Sequence, residues 1–180
     1  MIYVFLADGF EEIEALAPVD LLRRAGLTVQ TVGVTGKVVT GSHGIAVTAD
    51  ILPADLNLND DLQAVILPGG MPGAKNLDAS AEVQAAIDFA AQSDKFVCAI
   101  CAAPFILGKK GMLSGKTATC FPGFEEQLTG AKISTDFVCR DGKFITAKGM
   151  GAAVEFGLAI VAALCGEKTA DELRATIQCP

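Results

Sequence analysis

Tryptophan is absent from the chain, tyrosine occurs once, and the single histidine is His43. One histidine excludes a histidine-rich metal site, and any Cys–His catalysis would have to use that residue; no metal is expected. No apolar run approaches the ~20 residues a helix needs to cross a bilayer, so no membrane partner is expected. No segment gathers Lys or Arg, and the formal net charge is −7. A phosphate-backbone partner needs a basic face, so no nucleic acid is expected. Cys98, Cys101, Cys120, Cys139, Cys165 and Cys179 make no metal-like set, and Met1 leads directly into an apolar strand instead of a leader peptide. The expected compartment is a reducing cytoplasm.

What is present is Ala, Val, Ile, Leu and 19 Gly in a chain of 180 residues, enough for one domain over 1–180 with a full core. Apolar runs alternate with helical periodicity along its whole length. Ile2–Ala7 reads as a buried strand, 11–25 as a helix stopped by Gly26, and 28–34 as a parallel strand. Residues 36–50 read as a hairpin arm around Gly41-Ser42-His43-Gly44, 63–67 as a strand, and 80–91 as a helix. A strand over 116–120, a short helix over 122–128, a hairpin turning at Asp141-Gly142, and helices over 151–164 and 169–177 complete the pattern. Such alternation predicts a three-layer α/β/α sandwich around a mostly parallel sheet.

The stretch Phe96-Val97-Cys98-Ala99-Ile100-Cys101-Ala102-Ala103-Pro104 passes from buried strand to helix within three residues, and Cys101 sits on the bend. Small Ala99 and Ala103, two residues to either side, suit a tight reversal that exposes a side chain over a sheet edge. Two readings stand: a reactive thiol whose pKa the following helix N-terminus lowers, or a buried cysteine at a strand end.

Ligands of open α/β sheets bind beyond the carboxyl ends of the strands, where loops 8–14, 68–73, 100–104 and 147–152 fall. Glu11 and Glu12 read as solvated charges at a helix start. Glu14 shares a helix face with Ala17, Pro18 and Leu21, which would raise its pKa and let it donate to a thiolate or move a proton; the alternative is an acid facing water. Gly69 and Gly70 could bring backbone N–H groups to a reacting oxygen with the N–H of Ala102, or form a plain turn. The run 68–73 lacks the Lys-Ser/Thr of a phosphate loop. Gly149 starts a turn at the pocket's border.

Ala7-Asp8-Gly9-Phe10-Glu11-Glu12-Ile13-Glu14, Leu67-Pro68-Gly69-Gly70 and Ala99-Ile100-Cys101-Ala102-Ala103-Pro104, in this order, resemble the ThiJ/PfpI superfamily, in the branch related to the human Parkinson-linked oxidative-stress protein. The resemblance implies one flavodoxin-like (class I glutamine amidotransferase-like) domain. It further implies an oxidation-prone Cys101 with protonated Glu14 as its partner, backbone donors at Gly70 and Ala102, and a homodimer with Asp20 and Arg24 of the first helix at its interface. Three positions depart from the pattern. Ala102 replaces the His that follows the elbow Cys in the peptidase-like branch, which turns the expectation away from peptidase action. Phe121 stands where the human-like branch has His, removing a Cys–His relay, and His43 stands where that branch has Arg. His43 is therefore either a pocket residue or a simple hairpin tip.

The resemblance implies a cofactor-free glyoxalase or protein deglycase acting on methylglyoxal or its protein adducts. The alternative is a peroxide sensor or redox-regulated chaperone working through a Cys101 sulfinate. A third role, in thiazole monophosphate biosynthesis, comes only from names used in the superfamily.

Overall fold

Strands that are apolar on both faces require helices on both sides, and the chain alternates the two accordingly. The structure is a computed structural model that describes residues 1–179. In chain order its elements are β1 (Ile2–Leu6), α1 (Glu12–Arg24), β2 (Val29–Gly33), β3 (Val38–Thr40), β4 (Ala46–Thr48), β5 (Ala64–Leu67), α2 (Gly73–Ala79), α3 (Ala81–Gln92), β6 (Phe96–Ile100), α4 (Pro104–Lys109), β7 (Thr117–Ala118), β8 (Lys132–Ile133), β9 (Val138–Asp141), β10 (Phe144–Ala147), α5 (Ala153–Cys165) and α6 (Glu167–Thr176).

The main sheet has the order β2-β1-β5-β6-β10-β9, parallel except where β9 pairs antiparallel with β10. Successive side chains point to opposite faces. Ile2, Val4, Leu6, Ile66, Cys98, Ile100 and Ile145 accordingly pack with α1, α5 and α6, while Tyr3, Phe5, Val65, Leu67, Val97 and Ala99 pack with α2, α3 and α4. This is the expected three-layer sandwich. Gly157 of α5 lets α1 approach closely, for a Cβ there would lie 2.5 Å from Leu21 Cδ1. No helix among the described residues is long and apolar enough to cross a membrane.

Several boundaries differ from the expectation. Glu11 lies outside α1 because it is the N-cap: its Oε2 accepts from Glu14 N at 2.8 Å. Helix α2 was not expected, since its Gly-rich start reads as loop. The strand expected over 116–120 shrinks to β7, which pairs with β8 in a separate parallel ribbon. The helix expected over 122–128 is a single 3-10 turn, Glu125–Gln127. Gly166, at φ +92, ends α5 and admits α6 at once, so α6 begins at Glu167 instead of Thr169. The 36–50 arm is the two-stranded β3–β4 sheet, outside the main one.

Because β1, β5, β6 and β10 run parallel, the loops that follow them gather at one edge.

Candidate active site

The bend after β6 is held from both sides. Cys101 N donates to Ala147 O at 2.9 Å, extending the β6–β10 ladder, and Cys101 O accepts from Phe121 N at 2.8 Å. Between these bonds Cys101 has φ +64, a left-handed conformation that costs a non-glycine residue roughly 1–2 kcal/mol. Strain at one named residue of a sheet edge marks it for attention. The thiol of Cys101 is hydrogen-bonded to the Glu14 carboxyl, and the backbone N–H groups of Gly70 and Ala102 point at its sulfur.

Glu14 reaches this place from the first turn of α1 and is 1% exposed. Its Oε2 accepts from Gly69 N at 2.9 Å, so that N–H is committed to the acid. Only glycine fits at 69: a Cβ would stand 2.6 Å from Cys101 Cβ and 2.7 Å from Glu14 Oε2. Gly70 has φ +85, and a Cβ on it would fall 2.3 Å from Glu11 N. Both glycines thus serve close backbone approach as well as turning.

Burial pushes the Glu14 carboxyl up to about 7; the charge of Glu11 adds to this, and the hydrogen bonds it accepts from the Cys101 thiol and Gly69 N oppose it. Cys101 departs from the expected direction. Burial pushes its thiol up to about 12, the charge and hydrogen bond of Glu14 push the same way, and the donors at Gly70 and Ala102 only partly offset them. A helix of six residues and two N–H groups do not outweigh desolvation beside an acid. The two groups titrate as a pair: losing one proton gives a monoanion that is either carboxylate with thiol or carboxylic acid with thiolate.

Glu12 and His43 also differ from the sequence reading. Glu12 is not solvated but 2% exposed. Its Oε1 accepts from His43 N at 2.8 Å, and its Oε2 lies 3.0 Å from His43 Nδ1. Desolvation raises the Glu12 pKa, but the hydrogen bonds from His43 and the backbone outweigh it and hold the acid below its ordinary range; the same contact raises the pKa of His43. His43 therefore anchors the β3–β4 hairpin to the start of α1, with its ring exposed. The consecutive acids Glu11-Glu12 gave no sign that the second would be buried. Glu11, Glu12 and His43 also place potential metal-ligating atoms within 4.8 Å of one another, although the His43–Glu12 bond already satisfies two of them.

Phe121 and Gly149 border the Glu14 side of the site, for a Cβ at Gly149 would be 3.2 Å from Phe121 Cδ2 and 3.8 Å from Glu14 Oε1. Asp20 and Arg24 pair with each other at 2.6 Å on the exposed side of α1, away from the thiol. Cys98 and Cys101 stand in a C-x-x-C spacing, yet all six cysteines are free, and Cys98 is wholly enclosed in the core.

Fold and bend together define a flavodoxin-like α/β protein with a cysteine on a strained strand-to-helix turn, packed against a buried acid. The chain belongs to the DJ-1/PfpI family, whose model matches residues 1–163. It is 35% identical over 178 residues to the Parkinson disease protein 7 homolog of Danio rerio, covering 97% of this chain and 94% of that one. It is 33% identical over 162 residues to the glutathione-independent glyoxalase DJR-1.2 of Caenorhabditis elegans, covering 88% and 86%. The oxidized DJ-1 of Toxoplasma gondii superposes with a TM-score of 0.93 at 33% identity, over 98% of this chain and 97% of that one.

Proposed function

We propose that this chain is a cofactor-free glyoxalase, with deglycase action on methylglyoxal adducts of proteins as the same chemistry on a larger substrate. The observation that carries the reading is the Glu14–Cys101 hydrogen bond inside a desolvated corner; the C. elegans relative named a glyoxalase supports it. As Cys101 Sγ bonds to the aldehyde carbon of methylglyoxal, Glu14 takes the thiol proton. The aldehyde oxygen develops charge beside the sulfur, where the N–H groups of Gly70 and Ala102 already point. Glu14 returns that proton to the aldehyde oxygen, completing a hemithioacetal, and as a carboxylate again takes the proton of the former aldehyde carbon. Through an enediol this proton is delivered to the neighbouring carbon, while the hydroxyl proton passes to the neighbouring oxygen. The first carbon is oxidised to a thioester and the second reduced to an alcohol, so no outside oxidant or reductant is needed. Water cleaves the thioester, releasing lactate and restoring the thiol. Glu14 must start as the carboxylate, so turnover rises as pH passes about 7. Purified protein should convert methylglyoxal to lactate, and both Cys101→Ser and Glu14→Gln should lower kcat/KM at least a hundredfold. Equal rates in all three would refute the proposal.

A second reading is favoured by the donors at the sulfur. The N–H groups of Gly70 and Ala102 would hold the oxygens of a Cys101 sulfinate, with protonated Glu14 donating to one of them. Intact mass after mild peroxide separates the two: a gain of two oxygens confined to Cys101 supports a sensor, and oxidation scattered over the other cysteines refutes it. In either role we propose a homodimer in the cytoplasm, with the face of α1 that carries Asp20 and Arg24 at its interface.

A further inference from the structure

Beside the elbow lies an open cleft of about 310 Å³ whose walls include Phe121, Pro122, Phe137, Gly149 and Met150, with Lys148 at its rim. Among the described residues that line it, Lys148 is the only charged one. Three of these apolar side chains are unusually open: Phe121 is 47% exposed, Phe137 64% and Met150 54%. Scattered surface apolar residues are ordinary, but three around one cleft mark a place where something apolar binds. The cleft adjoins the reactive corner at two points. Phe121 N donates to Cys101 O, and the α-carbon of Gly149 faces both the Phe121 ring and Glu14 Oε1.

We infer that this cleft is the subsite for the substituent of the 2-oxoaldehyde, and that it selects a substrate bearing an aryl or branched alkyl group over methylglyoxal. The inference rests on the aldehyde chemistry proposed above. With the aldehyde carbon at Cys101 Sγ and the carbonyl carbon within reach of Glu14, the remaining substituent leaves toward Gly149. A methyl group is about the size of one water, ~30 Å³, and would leave most of the cleft unfilled. A phenyl ring offers more apolar surface to Phe121 and Met150, at roughly 25 cal/mol per Å² removed from water. With no side chain at Gly149, only backbone stands between this wall of the cleft and Glu14 Oε1, and a Cβ there would press on Phe121 at 3.2 Å. Lys148 Nζ sits 5.5 Å from the Phe137 ring centroid, so the rim already pairs a cation with an aromatic face and would accept a second one.

The test has a turnover arm and a binding arm. Steady-state kcat/KM for phenylglyoxal should exceed that for methylglyoxal at least tenfold, and the ratio should fall at least fivefold in Phe137→Ser and in Met150→Ser. In the Cys101→Ser variant, which cannot form the thioester, 2-hydroxyacetophenone should bind at least tenfold more tightly than hydroxyacetone and shift the NMR signals of Phe121, Gly149 and Met150. Discrimination in binding without turnover of either aldehyde would refute the glyoxalase reading and uphold the subsite. Equal binding of the two ketones, or shifts away from the cleft, would overturn the subsite whatever the turnover. Signals of the cleft that change with protein concentration and not with ligand would also overturn it, since the occupant would then be a second copy of the chain.

Discussion

Glu14 Oε2, in the first turn of α1, and Gly69 N, on the loop that follows β5, meet at 2.9 Å beside the Cys101 side chain. This contact seats the acid where water cannot reach it, and its energetic consequences are measurable.

The first concerns stability against pH. Glu14 titrates at about 7 in the fold and near 4.5 when solvated in the unfolded chain. A raised acid pKa means that the folded state holds its proton longer than the unfolded state does, so stability falls as pH rises from about 4.5 to about 7. At ~1.4 kcal/mol per unit, roughly 3 kcal/mol is lost across that window. Glu14→Gln removes the titration while keeping an acceptor for Gly69. Urea unfolding should show the variant about 2–3 kcal/mol more stable than wild type at pH 8, with the gain gone by pH 4.5.

The same substitution should move two reactivities in opposite directions. The Glu14 charge and hydrogen bond both raise the Cys101 pKa, so Glu14→Gln brings the thiol down. Iodoacetamide alkylation of Cys101 at pH 8 should accelerate severalfold while methylglyoxal turnover collapses. Parallel loss of both would show that Glu14 only maintains the structure of the bend.

Gly69→Ala places a methyl carbon within 3 Å of both Cys101 Cβ and Glu14 Oε2. Relief requires the acid or the bend to move, at a cost of about 1–3 kcal/mol. A wild-type melting temperature in this variant would contradict the geometry.

Strain at Cys101 predicts an order among variants lacking the thiol. At φ +64 alanine is strained and glycine is not. Cys101→Gly should therefore be more stable than Cys101→Ala by about 1 kcal/mol in paired denaturation curves, the reverse of the usual order.

Removing the Glu12 carboxylate leaves His43 N without its acceptor and frees the hairpin tip from α1. Glu12→Ala should cost about 1–3 kcal/mol and speed amide exchange through 41–46. In wild type, the raised His43 pKa means that its contact with Glu12 is strongest below that pKa and weakens as pH rises through it. The histidine ring signals should follow this titration and shift toward ordinary values in the variant.

Much of this was legible from sequence because it is local. Apolar runs of five residues in β1 and β6 announce buried parallel strands, the spacing of Leu21 and Leu22 announces a packed helix, and Asp141-Gly142 announces a turn. The bend at Cys101 was visible in the switch from β-branched residues to Ala-Ala-Pro. Helix α2 was not visible, because glycine and proline at its start obscure a helix that packing stabilises. Glu12 was read as solvated because neighbouring acids look alike until a hairpin from elsewhere in the chain covers one of them.

The chain's one-dimensional pattern determined the layers, the strand order's parallel character and the residue on the bend, since these depend on periodicity and turn chemistry within a few positions. Only the assembled sheet edge decided that burial raises the pKa of the elbow thiol instead of lowering it, that the acid beside it is shielded, and that the cleft by Phe121 lies next to Glu14. Desolvation depends on every atom that displaces water from a group, and those atoms come from loops that sequence distance does not order.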